Sequence, residues 1–444
     1  MSFPLVLSLV LLGIALIVLL TSWLKHNTFL SMFIVSLLLG VVVLPAKDVV
    51  PIITQGFGDT MKSIGVIIVL GIMIGVLLEK TGATLSMAKA ILQLTGKDKA
   101  GLAIGITGLI TGIPIFCNSG FIMLSGLNKS LVQHSGKPMI YMATMLATGL
   151  YSIHCLIPPH PGAMAAVSLI KPNIGQLIVL GIAIAIPGAV AGFAWARFMC
   201  RNEPYSQVDA QTDEKLHADE RVLPSTFRSF LPILVPLLLL TSKSVVMLKQ
   251  SAADSLFATT ISLIGCPEVA LLIGVGLALT LFKKINMKLV SELFDEAIEK
   301  TGPILVLTGA GGIFGAVIKA TGVGEHAGIY LSATGLGLAI PFIISAFLKT
   351  AQGSSTVAIM TAASIVAPML PALHLDGDAG RLLATLAMGA GSMVVSHAND
   401  SYFWVVAKFS GLESGPTLRV YTTTTLVMGI STFLTILFCS LFML

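Results

Sequence analysis

Residues 101–128 read GLAIGITGLITGIPIFCNSGFIMLSGLN, and no charge falls among them. As one helix the stretch would be about 42 Å long, at about 1.5 Å per residue. A bilayer core is only about 30 Å thick, and about 20 apolar residues cross it. Near the middle lies Gly112-Ile113-Pro114-Ile115-Phe116-Cys117-Asn118-Ser119-Gly120, poor in helix formers and rich in hydrogen-bonding groups. An apolar segment too long for one span and broken at its centre predicts a helix hairpin that dips into the membrane and returns. Non-helical backbone at that depth is tolerated only where it lines a cavity or is buried in protein. In carrier proteins such breaks mark binding sites.

Working outward, apolar runs recur from end to end. Hydrophobic residues make up 55% of the 444-residue chain and charged ones 11%, and mean hydropathy is +0.95. The chain is therefore expected to be an all-α polytopic membrane protein. The run from Phe3 to Leu24 is too long for a signal-peptide core and has no basic region before it, so it reads as a span. The net charge of +5 comes from loop lysines and arginines with no interleaved aromatics, which argues against a nucleic-acid surface. The five cysteines are scattered singly, without metal or redox spacing. No nucleotide-binding loop is present, which disfavours an ATP-driven pump, and no cofactor is expected.

The predicted membrane segments are 3–24, 28–46, 63–79, the hairpin 101–128, 138–157, 174–199, 229–248, 256–282, 302–319, a second hairpin near 336–370, 382–407 broken near its end, and 417–442. The long hydrophilic stretch 201–228 separates a first half, 1–200, from a second, 229–444. A polar piece, Lys283 to Lys300, has helical periodicity and reads as an interfacial helix. The halves repeat: Gly71, Gly75, Thr81 and Gly82 recur as Gly311, Gly315, Thr321 and Gly322. Basic residues gather at 80–99, 129–137, 197–228 and 283–300, which the positive-inside rule places in the cytoplasm. About five full transmembrane helices plus one re-entrant hairpin then fall in each half. An odd number of spans makes the two repeats inverted.

The first hairpin tip offers Asn118 and Ser119; the second offers Gly353, Ser354, Ser355 and Thr356. Asn, Ser and Thr are N-cap residues. Two helix N-termini aimed at the membrane centre would suit a carboxylate. The bland alternative is Ser and Thr back-bonding inside a continuous helix. Tyr151-Ser152-Ile153-His154 runs into Pro158-Pro159-His160-Pro161, which cannot continue a helix. Its counterpart is Ser396-His397-Ala398-Asn399-Asp400-Ser401, where an acid interrupts an apolar stretch. Intramembrane ionisable groups are functional hypotheses by default. Asp400 is the candidate proton carrier, and capping of a broken helix is its structural alternative. His154, His397 and Asn399 are candidate substrate contacts, with helix packing as the alternative for the histidines. Lys80, Lys319 and Lys349 are read as snorkelling to the headgroups, and Glu79 as solvated. Lys349 fits this least well, because it lies four residues before the second tip, where it could neutralise an anionic substrate.

Pro158-Pro159-His160-Pro161-Gly162, the Gly353–Ala358 hairpin and Ser396–Ser401 leading to Phe403-Trp404 resemble the gluconate/proton symporter family of the ion transporter superfamily. The resemblance runs through the whole chain. It implies secondary transport of gluconate or related hydroxy acids coupled to protons, with D-serine as the substrate of one branch, and a homodimer. Gluconate-type members carry an acid in the first hairpin, in a pattern like Phe-x-Glu-Val-Gly; here Phe116-Cys117-Asn118-Ser119-Gly120 puts Asn118 in its place. Tips of Asn, Ser and Thr also look like those of sodium/dicarboxylate symporters, so sodium coupling stays open. The expectation is a multi-pass importer of the bacterial inner membrane for a small organic acid. An intramembrane enzyme would need a nucleophile–base pair or a metal cluster, and Asp400 with His397 is the only pair on offer. A passive channel would differ in giving no concentrative uptake.

Overall fold

The computed structural model describes residues 3–20, 24, 26–87, 90, 99–201, 223–248, 256–283, 285–322, 335–397 and 400–444. Helices α1 (Phe3–Val18) and α2 (Thr28–Val43) lead into α3 (Ala46–Lys80), a helix of 35 residues. Only 63–79 of α3 is apolar enough to read as a span from sequence. The helix begins earlier because Val49, Ile53, Gly56 and Thr60 recur at intervals of three and four and are all buried. Its partner α12 (Met287–Thr321) is also 35 residues long. The expected interfacial helix over 283–300 is thus not separate. It runs unbroken through Pro303 into the next apolar segment. Leu293, Ala297 and Thr301 are buried and keep the helical period across the junction.

Helices α3 and α12 pack closely and run antiparallel. Gly56 lies against Gly312 and Ala316, where an added Cβ would come within 2.7 Å of each. At the other end Lys80 pairs with Glu296 at 2.7 Å, and Lys300 reaches Glu296 at 2.9 Å and Glu79 at 3.7 Å. Glu79 is therefore part of a charge network and not simply solvated. These groups are partly exposed, so each pair adds little stability.

After α3 come α4 (Ala100–Thr111), α5 (Cys117–Ser135), α6 (Met139–His154), α7 (Pro161–Ile170) and α8 (Ile174–Met199). After α12 the same order returns: α13 (Ala339–Gln352), α14 (Ser355–Val366), α15 (Asp378–Met393), α16 (Ser401–Phe409) and α17 (Ser414–Met443). The two are joined by α9 (Thr226–Leu248), α10 (Leu256–Ile264) and α11 (Pro267–Leu279). The expected continuous span 256–282 is broken before Pro267, which holds Cys266 extended. Short helix α7 was hidden by the three prolines before and at its start. Pro161 occupies the first helical position, where proline needs no partner for its nitrogen.

Packing repeats as well. α4 lies on α6 as α13 lies on α15, and α8 lies on α17. The second arms cross over: α14 packs on α7, and α5 packs on α16. Each hairpin thus meets the short helix of the other half. Helices α6 and α15 are buried along almost their whole length and form the centre. Among the described residues, three helices are long and apolar enough to cross a bilayer: α8, α12 and α17. The other apolar helices are shorter, in places because the chain breaks inside the body. The stretch 202–222, most of the expected linker, lies outside the described residues.

Gly149 of α6 touches α4, and a Cβ there would sit 2.1 Å from the Gly105 carbonyl oxygen. Gly276 has nothing within 4 Å. Gly149→Ala is expected to destabilise the protein by at least about 1–3 kcal/mol through overpacking, while Gly276→Ala is neutral or slightly stabilising. Thermal unfolding of both variants in detergent checks this. Equal stability would remove the close contact of α4 with α6.

Candidate functional site

Four backbone breaks meet in the interior. The first, residues 112–116, follows α4. Phe116 is extended and α5 starts at Cys117, with no side-chain cap. Asn118 and Ser119 therefore do not cap the returning arm, as the sequence suggested; they lie in its first turn and are half-buried. The second break is as expected. Gly353 adopts φ +81°, a left-handed conformation that favours glycine. Ser354 caps α14, its Oγ accepting from the Val357 N–H at 3.3 Å. Ser355 is buried and Thr356 half-buried just behind. The third break, 155–160, contains a cis peptide between Pro158 and Pro159 and ends at His160. The fourth separates α15 from α16, with Val394 and Asp400 as the flanking cap residues.

Asp400 is buried and serves as the N-cap of α16, its Oδ1 accepting from the Tyr402 N–H at 2.9 Å. Its Oδ2 accepts from Ser396 Oγ at 2.5 Å and from Lys349 Nζ at 2.5 Å. Lys349 also donates to the Gly353 carbonyl. Its side chain has no exposure at all, so it does not snorkel. The loop under Asp400 is pinned by α17: Thr422 Oγ1 donates to the Ser396 carbonyl at 2.6 Å, and the Ser396 N–H donates to Thr425 Oγ1 at 3.0 Å. Asp400 and Lys349 are the only buried members of Asp, Glu, Lys and Arg among the described residues. Removing one partner of such a pair leaves an uncompensated buried charge, at a cost of about 3–5 kcal/mol.

The other half supplies aromatic and imidazole groups. Lys349 Nζ lies 5.7 Å from the centre of the Tyr151 ring. Tyr151 donates to the Ser392 carbonyl and Tyr402 to the Ala147 carbonyl, both at 3.2 Å, and the two rings sit 5.3 Å apart. Tyr151 is also stacked on His154 at 6.4 Å. The His154 ring lies 4.6 Å from that of His160, with Phe116 of the first break 6.2 and 5.9 Å from the two. His160 Nε2 donates to the Gly112 carbonyl at 2.8 Å, since a carbonyl only accepts. The Nδ1 atoms of His154 and His160 are buried with no partner, as are both polar atoms of the Gln352 amide. Buried groups of this kind are normally satisfied, so these are polar atoms beside the breaks that a ligand could partner.

Tyr151 therefore connects His154 of the first half to the Lys349–Asp400 pair of the second. One expected contact falls elsewhere. His397 is half-exposed and donates from Nε2 to the Thr350 carbonyl at 3.1 Å, at the rim and not in the buried cluster. Asn399 lies outside the described residues. Tyr151, Tyr402, His160 and Gln352 join the cluster without having been selected as binding residues, and Lys349 joins it after being read chiefly as a headgroup anchor. One signal for Lys349 was available: in a re-entrant hairpin the end next to the tip is the deep end, and a lysine there is far from any headgroup.

Asp400→Asn keeps the α16 cap, because Asn caps as well as Asp, yet removes the charge. Each single change, Asp400→Asn or Lys349→Met, is expected to lower stability by about 3–5 kcal/mol. The double variant should lose clearly less than the sum. Thermal unfolding of the three proteins decides it, and strictly additive losses would mean that the two groups are not paired.

Comparison with known proteins agrees with this architecture. The family model for GntP family permeases matches residues 5–442. The gluconate permease of Pseudomonas aeruginosa is 30% identical over 435 residues, covering 96% of each chain. The D-serine transporter DsdX of Escherichia coli is 28% identical over 431 residues, again with 96% of each covered. Among solved structures, the YdaH transporter of Alcanivorax borkumensis shares the fold, with a TM-score of 0.59 over 96% of this chain and 98% of that one at 14% identity. A family model that spans almost the full length leaves one assignment: this chain is a member of the GntP family of permeases.

Proposed function

We propose that the protein is a secondary active symporter of the bacterial inner membrane that imports gluconate or a related small hydroxylated acid together with protons. The observation that carries this reading is the buried Lys349–Asp400 pair, which bridges the second hairpin tip and the fourth break. An ammonium has three donors. Gly353 and Asp400 take two of them, so a substrate carboxylate can approach the same nitrogen and displace Asp400. A carboxylate left without its counter-ion in a dry interior is costly to keep charged. Proton uptake by Asp400 removes that cost, and binding of the anion becomes coupled to binding of the proton.

The remaining polar groups suit a polyhydroxylated chain. Asn118 and Ser119 from the first tip, and Gly353, Ser354, Ser355 and Thr356 from the second, supply donors and acceptors. The unpartnered Nδ1 atom of His154 can bond a substrate hydroxyl, as donor or acceptor according to the tautomer. His397 is assigned to the rim, and Asn399 is kept as a proposed substrate contact. The two halves are read as inverted repeats, 1–200 and 229–444, joined by a cytoplasmic linker, 201–228. The equal length and antiparallel packing of α3 and α12 support this, as do the matched breaks.

In proteoliposomes, Asp400→Asn should abolish concentrative, uncoupler-sensitive uptake of gluconate and retain exchange, which needs no net proton movement. Concentrative uptake by that variant would falsify the proton assignment. Drive by a sodium gradient alone would move the coupling to the Asn118 and Ser354–Thr356 tips. Preference for D-serine over gluconate in the same assay would change the substrate and leave the site in place. Ser355→Ala and Asn118→Ala are each expected to weaken binding roughly tenfold or more, as for a hydrogen bond to a charged group; unchanged affinity in both would remove the tips from the site. Single cysteines placed in 202–222 of a cysteine-free protein should resist labelling from the periplasm, and labelling there would reverse the topology.

A further inference from the structure

A polar cavity, of about 660 Å³, lies away from the four breaks, where α4 and α6 begin and α8 ends. Lys99, Lys137, Arg197 and Arg201 stand around it, and among the described residues no Asp or Glu lines it. All four cations are exposed, and none is ion-paired among the described residues. Its floor is Tyr141, whose ring lies so close on Gly101 that a Cβ there would come within 2.3 Å of it. Gly101 therefore leaves room for the ring beside the cavity that both residues line. Two helices start at the cavity, α4 after Lys99 and α6 after Pro138, and neither has a side-chain cap. Their first N–H groups add to the positive potential.

Four like charges gathered in one concavity repel one another unless an anion sits between them. The surroundings indicate the source of that anion. Phe198, 65% exposed, stands next to Arg197 and packs its ring 5.6 Å from Trp195, and Leu102, 41% exposed, is part of the lining. Exposed apolar side chains directly beside a basic pocket between membrane helices suit acyl chains below a headgroup. We propose that this cavity is a binding site for a phosphate-bearing anion, taken either from the headgroup of an acidic phospholipid or from soluble phosphate. Nothing in the transport reading requires it. None of its residues belongs to the cluster around Lys349 and Asp400, so the two proposals stand or fall separately.

The test uses the purified full chain in neutral detergent, wild type against the double variant Lys137→Gln/Arg197→Gln. Unfolding temperature is followed against cardiolipin, phosphatidylcholine and inorganic phosphate, and retained lipid phosphorus is counted after delipidation. Cardiolipin should stabilise the wild type where phosphatidylcholine does not. Each cation near an acidic membrane surface contributes about fivefold in binding, so the double variant should need about 25-fold more cardiolipin. Stabilisation by phosphate alone, lost in the same variant, keeps the site and assigns it to a soluble anion. An equal response of both proteins to cardiolipin, with equal retained phosphorus, overturns the proposal. So does the absence of any response to either anion. Both changed side chains are on the surface, and the phosphorus count reads occupancy even if the variant's own stability shifts.

Discussion

A lysine with no exposure needs an anion beside it, and this requirement organises the interior. Lys349 lies one turn before the second hairpin tip, so its counter-ion has to come from another element. Asp400 provides it from the fourth break, while its other oxygen starts helix α16. The break can stay open because Ser396 is tied to α17 on one side and to Asp400 on the other. Without the pair, a hairpin and a broken helix would face each other across unmatched backbone groups, which low dielectric makes expensive.

The first half solves the same problem with a neutral group. Gly112 and Gly353 are 241 positions apart, and His160 and Asp400 are 240 apart. His160 is the N-cap residue of α7 and bonds the Gly112 carbonyl directly; Asp400 is the N-cap of α16 and reaches the Gly353 carbonyl through Lys349. Each half thus fastens its hairpin to its own broken helix at the equivalent place. Only the second fastening is ionic, so only there does an arriving anion compete with the contact that closes it. A framework with one neutral and one charged fastening would give the proposed substrate carboxylate a single address.

Most of this framework was legible in the sequence, for a clear reason. Breaks inside apolar runs must be spelled with Gly, Pro and helix-capping residues, and those at 112–116, 155–160, 353–354 and 394–400 all are. The recurring Gly71, Gly75 and Gly82 also kept their meaning: Gly71 admits Pro159, Gly75 approaches the Pro114 carbonyl, and Gly82 ends its helix with φ +73° as Gly322 does with φ +69°. What stayed hidden depended on partners far away in the chain. The first half of α3 looks like a loop until α12 covers its buried face. Asn118 looks like a cap, but α5 starts one residue before it. Lys349 looks like a headgroup anchor, and only Asp400, 51 residues later, makes its burial possible.

Charge balance links the site to the coupling proposed for it. At rest the buried pair sums to zero, with one ammonium and one carboxylate. A substrate carboxylate entering alone would leave the interior with net charge −1, and burying an unpaired charge is heavily penalised. One proton on Asp400 returns the sum to zero, so the proposed mechanism ties one proton to each singly charged anion without any further titrating group. The residue at the first tip matters for the same reason. A glutamate at position 118 would add a second carboxylate to a site with one lysine and would call for another proton or a cation. Asn118 keeps the hydrogen-bonding capacity of the tip and leaves the charge count alone. With Asn118 at this tip, a single Lys–Asp pair would suffice to balance a single anion in the proposed mechanism.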